Sequence, residues 1–223
     1  MKTKLVSLIT VLLGLGFSSV HAGDINVNGN VGTKYASDYH RRGQVVSDEA
    51  IQAQVGFNVG LGGVDLFGDL FTNQATSASS VDSDELTLGI GTSLLEDKLS
   101  AYAGVYNTSN SALGDDLEAF ASLGLNTLLS PSLSVYRHTD DSLYTFEGQL
   151  GHSFNLEVIT LEVTGVLGQT ELTAATESTY YGTVLTASKT LGKDLNVYAD
   201  VALSDNDVRD YETVWGVGLR LKF

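Results

Sequence analysis

The chain has 223 residues, 12 Lys and Arg against 27 Asp and Glu, a formal net charge of −15, and no cysteine. So acidic a balance excludes nucleic acid as a partner, because holding a phosphate backbone takes clustered cations. The lack of cysteine excludes a disulfide framework, thiolate metal sites and a lipid-modified N-terminal cysteine. One proline beside 24 glycines suits a chain that is mostly pleated sheet with tight turns.

At the N-terminus, Lys2 and Lys4 precede an apolar run from Leu5 to Phe17 and small residues ending Val20-His21-Ala22. This predicts a secretory signal over residues 1–22, cleaved after Ala22, and one β domain over residues 23–223. The apolar run is shorter than the roughly 18 to 20 residues that span a bilayer as a helix. Removing the two leader lysines takes 12 basic residues to 10 against 27 acidic ones, a formal charge of −17.

From Ile51 to Leu61 every odd residue is apolar and every even one is polar or glycine, the period of a strand with two unlike faces. The pattern recurs over residues 86–94, 99–105, 117–125 and 195–203, and in Trp215, Val217, Leu219, Leu221 and Phe223. Short links fall at Gly62-Gly63, at 96–98, at 127–131, at Asn155 and at 192–194. Longer polar links fall at 40–49, 72–84, 107–115, 139–142, 170–179 and 204–211. Short periplasmic turns alternating with longer external loops predict a transmembrane, antiparallel, up-and-down β-barrel of about twelve strands. The competing reading is a soluble sandwich or lipocalin-type barrel, because period alone does not say which face is the core.

In the membrane reading the apolar face points at lipid, since a Lys or Arg at mid-bilayer costs about 2 to 4 kcal/mol. The opposite phase carries Lys34, Asp38 and Arg42, then Asp65 and Asp69, then Glu85, Glu118, Glu147, Glu162, Asp200 and Arg220, all expected to line the pore. Tyr39, Tyr144, Tyr181 and Trp215 project to an external outward girdle, and Phe154 and Phe223 to a periplasmic one. Arg137 and Lys189 fall on the outward face near strand ends, where they are expected to snorkel.

At the exit of the first strand stands Ser37-Asp38-Tyr39-His40-Arg41-Arg42-Gly43, then Ser47-Asp48 and Ala50-Ile51-Gln52. This resembles the TorF family of porins, whose hallmark reads SDYxxRG, a short polar loop and an Ala-x-Gln strand start. Leu129-Ser130-Pro131-Ser132 is similar to the same family, and the run ending in Phe223 is similar to the C-terminal signature read by the barrel assembly machinery. The match covers about fifteen residues near the start and four in the middle. It implies an outer-membrane pore for small hydrophilic solutes, embedded in lipid and assembled through Phe223. The His40-Arg41 pair departs from the family's apolar or aromatic pair and adds positive charge at the external mouth.

Asp38 and Arg42 lie four residues apart on one projected face, with Lys34 one step further in. They read either as a charged restriction that sorts ions or as an ion-pair ladder fixing the first strand. No phosphate-cradling glycine loop or zinc-spaced cluster occurs, so no cofactor and no metal are expected. His152 and Ser153 are adjacent and so face opposite sides of a strand; no catalytic residues are assigned, although a triad assembled from separate strands stays open. Inward-phase glycines (Gly56, Gly60, Gly89, Gly91, Gly104, Gly124, Gly216 and Gly218) suggest water-filled space. The inward aromatics Phe67, Phe71, Tyr102, Tyr106, Phe120, Tyr136 and Tyr198 suggest either a slide for sugars or aromatic solutes, or packing that stiffens a narrow barrel. Eight inward carboxylates against Lys34, Arg42 and Arg220, with Lys222 at the lip, predict a passive channel of weak cation preference. A lipid-modifying enzyme and a structural or adhesion barrel are the alternatives.

Overall fold

The computed structural model describes residues 25–42, 44–77, 81–110, 114–173, 175–207 and 209–223; the projected leader and Gly43 of the hallmark motif lie outside them. Twelve strands follow one another: β1 (Ile25–Arg41), β2 (Gln44–Leu61), β3 (Val64–Ala75), β4 (Ser83–Leu94), β5 (Leu99–Asn110), β6 (Gly114–Leu125), β7 (Ser132–His138), β8 (Tyr144–Asn155), β9 (Thr160–Thr173), β10 (Thr176–Leu191), β11 (Leu195–Asn206) and β12 (Arg209–Lys222). Each pairs antiparallel with the next, and β12 pairs with β1 from Asn30↔Lys222 to Ala36↔Gly216, which closes the ring and leaves no free edge. The last residue completes the seam: the Gly29 N–H donates to the Phe223 carbonyl at 2.7 Å, and the Phe223 N–H returns to Gly29 at 2.9 Å.

The burial pattern is inverted relative to a soluble protein. Among the described residues the buried apolar set is only Ala36, Ala50, Tyr180 and Val214, while Gln52, Asn73, Ser83, Glu118 and Thr145 are buried. Ile51, Phe57, Ile90, Leu123, Leu150, Leu167, Leu185, Val201 and Val217 are exposed, forming an outward belt that runs from strand to strand. A continuous apolar belt around a polar interior is stable only in lipid, so the chain is a transmembrane barrel and the soluble reading is overturned. Tyr144, Tyr181, Trp215, Phe154 and Phe223 are exposed on this outer face. The Arg137 guanidinium, also outward, donates to the Ser142 hydroxyl at 3.1 Å.

Turns at the rim that carries Ile25 and Phe223, the terminal rim, are short and use left-handed residues: Gly62 and Gly63, then Leu95, Glu96 and Asp97 in succession, and Gly192. At the opposite, distal rim the strands run further than the hydrophobic pattern predicts. The segment 40–49, projected as a loop, continues β1 to Arg41 and resumes β2 at Gln44; the links at 107–115, 170–179 and 204–211 shorten likewise. Apolar alternation marks only the part of a strand that meets lipid, whereas backbone pairing continues beyond it.

The lumenal glycines also differ from the projection. Phe67 lies over Gly89, Tyr102 over Gly91, Phe120 against Gly104 and Tyr198 over Gly218; polar side chains or the Lys34 stem cover Gly56, Gly60, Gly124 and Gly216. The space left by each missing Cβ is filled by a neighbour's side chain, not by a water channel. Each ring is thereby drawn against the wall of the barrel.

Candidate functional site

β1 controls the distal half of the lumen through an irregularity that period two cannot reveal. Ala36 is fully buried facing the lumen, yet three residues later Tyr39 also points inward, its hydroxyl donating to Glu85 and its ring 5.2 Å from that of Phe71. The pairing with β2 skips Ser37 between Ala36↔Ala50 and Asp38↔Asp48, where the Trp215 N–H donates to the Ser37 hydroxyl at 3.1 Å, and it slips again between Tyr39 and His40. Such a bulge re-aims every later side chain. The outward projection of Tyr39 is therefore wrong, and Asp38, half-exposed beside it, joins no ion pair with Arg42.

Beyond the slip the tip of β1 crosses the pore. Arg42, in the left-handed region at φ 50°, donates through both terminal nitrogens to the two carboxylate oxygens of Glu118 at 2.6 Å. Glu118 stands on β6, on the far side of the ring, and its side chain is fully buried. His138 on β7 approaches Glu118 at 2.8 Å and Asp116 at 3.1 Å, and Arg41 approaches Glu118 at 3.6 Å. Both guanidinia also sit over tyrosines, Arg41 5.0 Å from the Tyr106 ring centre and Arg42 4.2 Å from that of Tyr136. Asp116, Glu118 and His138 bring ligand-type atoms within 4.8 Å of one another. The two arginines already neutralise the two carboxylates there, so the cluster offers a cation no net negative charge.

His40, adjacent to the bulge, makes a second network. Its Nδ1 lies 2.7 Å from the Ser204 hydroxyl and its Nε2 3.1 Å from the Glu212 carboxylate. Ser, His and Glu in series are the residue types of a hydrolase triad, drawn here from β11, β1 and β12.

The remaining projected pore residues divide by partner. On the terminal half, Lys34 is paired with Asp200 at 3.0 Å, and Asp69 accepts from the Gln54 amide at 2.9 Å. Arg220 stacks 5.3 Å from the Tyr198 ring centre and reaches the Gln54 oxygen at 3.5 Å. Glu162 and Lys222 line the same half, and Asp65 lies half-buried across from Gly60 and Gly91. Glu147 accepts from the Tyr180 hydroxyl at 2.7 Å and the Gln149 amide at 2.8 Å. The lumen is thus divided. A polar cavity of about 620 Å³ on the terminal side is lined by Lys34, Gln52, Gln54, Tyr198, Asp200 and Arg220. A more aromatic one of about 490 Å³ lies against β3 to β8, and one of about 300 Å³ opens at the distal mouth. Arg41 and Arg42 line both of the latter and form the partition between them. Sequence reasoning missed Arg41, His40, His138 and Tyr180 as lumenal groups. Only the charge of the His40-Arg41 pair hinted at the first two.

No protein-family model matches the chain, and no curated protein does. Solved structures do match in fold. The chain is similar to the KdgM porin with a TM-score of 0.59 at 14% identity, over 87% of this chain and 99% of that one. A second KdgM structure, in complex with disordered oligogalacturonate, matches at 0.57. The NanC porin matches at 0.54 and 14% identity, over 87% and 100%. Outer membrane phospholipase A from Escherichia coli matches at 0.52 and 13% identity, over 87% and 89%.

Proposed function

We propose that the protein is an outer-membrane channel of a Gram-negative bacterium, exported with its leader removed after Ala22, that lets small hydrophilic solutes and ions diffuse passively. The observation that carries this reading is a polar, charge-lined lumen inside an apolar belt, with cavities of about 620, 490 and 300 Å³ along its walls. A purely structural barrel has no use for such volume, because side chains alone can fill a narrow ring. The terminal rim then faces the periplasm and the distal rim the exterior. Phe223, paired to Gly29 at the seam, is the handle for the assembly machinery. The hallmark around Tyr39 and Arg42 supports kinship with the TorF porins.

The preference is weakly cationic. Around the β1 tip Glu85, Asp116, Glu118, Glu147 and Glu212 outnumber Arg41 and Arg42, and on the terminal side Asp65, Asp69, Glu162 and Asp200 face Lys34, Arg220 and Lys222. A polyanion such as the oligogalacturonate bound by KdgM is disfavoured by that balance. Planar-bilayer recording of the purified protein tests the reading: stepwise conductance is expected, and a silent bilayer containing correctly folded, heat-modifiable protein overturns it.

A second reading has the Ser204–His40–Glu212 series behind it: a hydrolase acting at the distal rim. The series lines none of the three lumenal cavities, and His40 turns Nδ1 to the serine and Nε2 to the carboxylate, so we read it as a brace holding the β1 tip to β11 and β12. Turnover of labelled phospholipid or short-chain ester that disappears in Ser204→Ala would establish the enzyme instead.

A further inference from the structure

We infer that the middle of the lumen is a binding site for a neutral saccharide, an inference that rests on the channel reading and names the class of solute it selects. The cavity of about 490 Å³ falls within the roughly 300 to 1,000 Å³ of small-molecule sites, which join apolar walls to a few placed polar groups.

One wall is a continuous row of rings. Phe67 on β3 meets Tyr102 on β5 at 5.8 Å and Phe120 on β6 at 6.4 Å, and Phe120 meets Tyr136 on β7 at 6.0 Å. The glycines behind Phe67, Tyr102 and Phe120 let the rings lie against the wall, which frees their other faces toward the void. Tyr102 keeps 41% of its surface accessible although it points inward, unlike a ring packed to stiffen a core. An exposed apolar surface inside a polar lumen marks a surface that something covers.

The next strand, β8, and the tip of β1 supply acceptors and donors beside that row. The Glu147 carboxylate is held in place by Tyr180 and Gln149, and Arg42 closes the distal side. Arg41, Arg42 and Glu147 reach this cavity already engaged, Arg41 and Arg42 with Glu118 and Glu147 with Tyr180 and Gln149, so their charges are largely spoken for while their remaining N–H groups and lone pairs bond the hydroxyls of a polyol. The ring faces take the C–H side of a pyranose. A purely apolar solute would make no use of these remaining donors and acceptors, and an anionic sugar would meet the acidic lumen.

The test uses the full mature chain, titrated with maltose in detergent by calorimetry and recorded in planar bilayers with maltose, digalacturonate and a size-matched polyethylene glycol. Saturable maltose binding with matching closures of the conductance is expected. Tyr102→Ala and Phe120→Ala should each weaken it roughly tenfold or more, and Tyr102→Phe should retain it. Heat-modifiable migration of each variant certifies its fold. No saturable maltose binding, equal closure by polyethylene glycol, tighter binding of digalacturonate, or unchanged affinity in both alanine variants overturns the proposal. Conductance without maltose binding removes this site and leaves the channel. Maltose binding in a protein that never conducts removes the channel and leaves the site.

Discussion

Arg42 and Glu118 belong to strands five places apart around the ring, and the guanidinium meets both carboxylate oxygens at 2.6 Å. The pair ties the tip of the first hairpin to the far wall and sets how much of the distal lumen is open. The Glu118 side chain is fully buried, so that carboxylate has no water to fall back on.

Arg42→Ala should therefore do two things at once. It takes the bidentate partner from a buried carboxylate and leaves it only Arg41 and His138, so the cost stays below the roughly 3 to 5 kcal/mol of a wholly orphaned buried charge and lowers the temperature of the boiled-versus-unboiled gel shift. It also frees the tip, so the unit conductance and the cation preference both rise. Adding Glu118→Gln to Arg42→Ala should restore much of the stability while the conductance stays high. Unchanged conductance in Arg42→Ala would mean that the conducting path avoids the partition.

Selectivity should depend on salt. Reversal potentials in a potassium chloride gradient are expected to show weak cation preference, strongest in dilute solution, because the Debye length falls from about 30 Å at 0.01 M to about 10 Å at 0.1 M. A clear anion preference would make Arg41 and Arg42, rather than the carboxylates, the ring that sorts ions.

Two glycine substitutions should diverge. A Cβ at Gly104 would strike the Leu88 carbonyl and lie 2.8 Å from the Gly89 Cα, both backbone atoms unable to move aside, whereas at Gly165 nothing lies within 4 Å. Gly104→Ala should cost about 1 to 3 kcal/mol in urea unfolding, as overpacking does. Gly165→Ala should be neutral or slightly stabilising.

At the distal rim the Asp207 carboxylate accepts from the Ser178 hydroxyl at 2.7 Å and the Thr179 N–H at 3.1 Å. These bonds, the Ser178 one foremost, hold its pKa below the ordinary aspartate value. Its contribution to stability is then fully present above the unfolded pKa of about 3.9 and is lost as pH falls through the lower folded value. Hydrogen exchange at the Thr179 amide should stay protected from pH 7 down to about 4, relative to its intrinsic rate, and open below that. In Asp207→Asn the dependence should vanish.

The alternation in segments such as 51–61 and 215–223, with short links between, was enough to read twelve strands, their order and which side chains share a face, because each depends on neighbours in sequence. The inward phase of Lys34, Asp69, Glu118 and Asp200 is a consequence of the same period. That period could not choose between lipid and core for the apolar face. Only ring closure and the exposed belt decided it.

Tertiary structure alone decided the site. The break in pairing at Ser37 turned Tyr39 inward and the slip at Tyr39–His40 sent Arg41 and Arg42 across the pore, and no local pattern encodes a bulge whose benefit is a carboxylate 76 residues away. The lumenal glycines read as open space until the rings of Phe67, Tyr102 and Phe120 were seen to lie over them, since cross-strand contacts depend on register. The sequence by itself determined a transmembrane-type alternation and its period. Register and curvature, set by pairing around a closed ring, determined which charges meet.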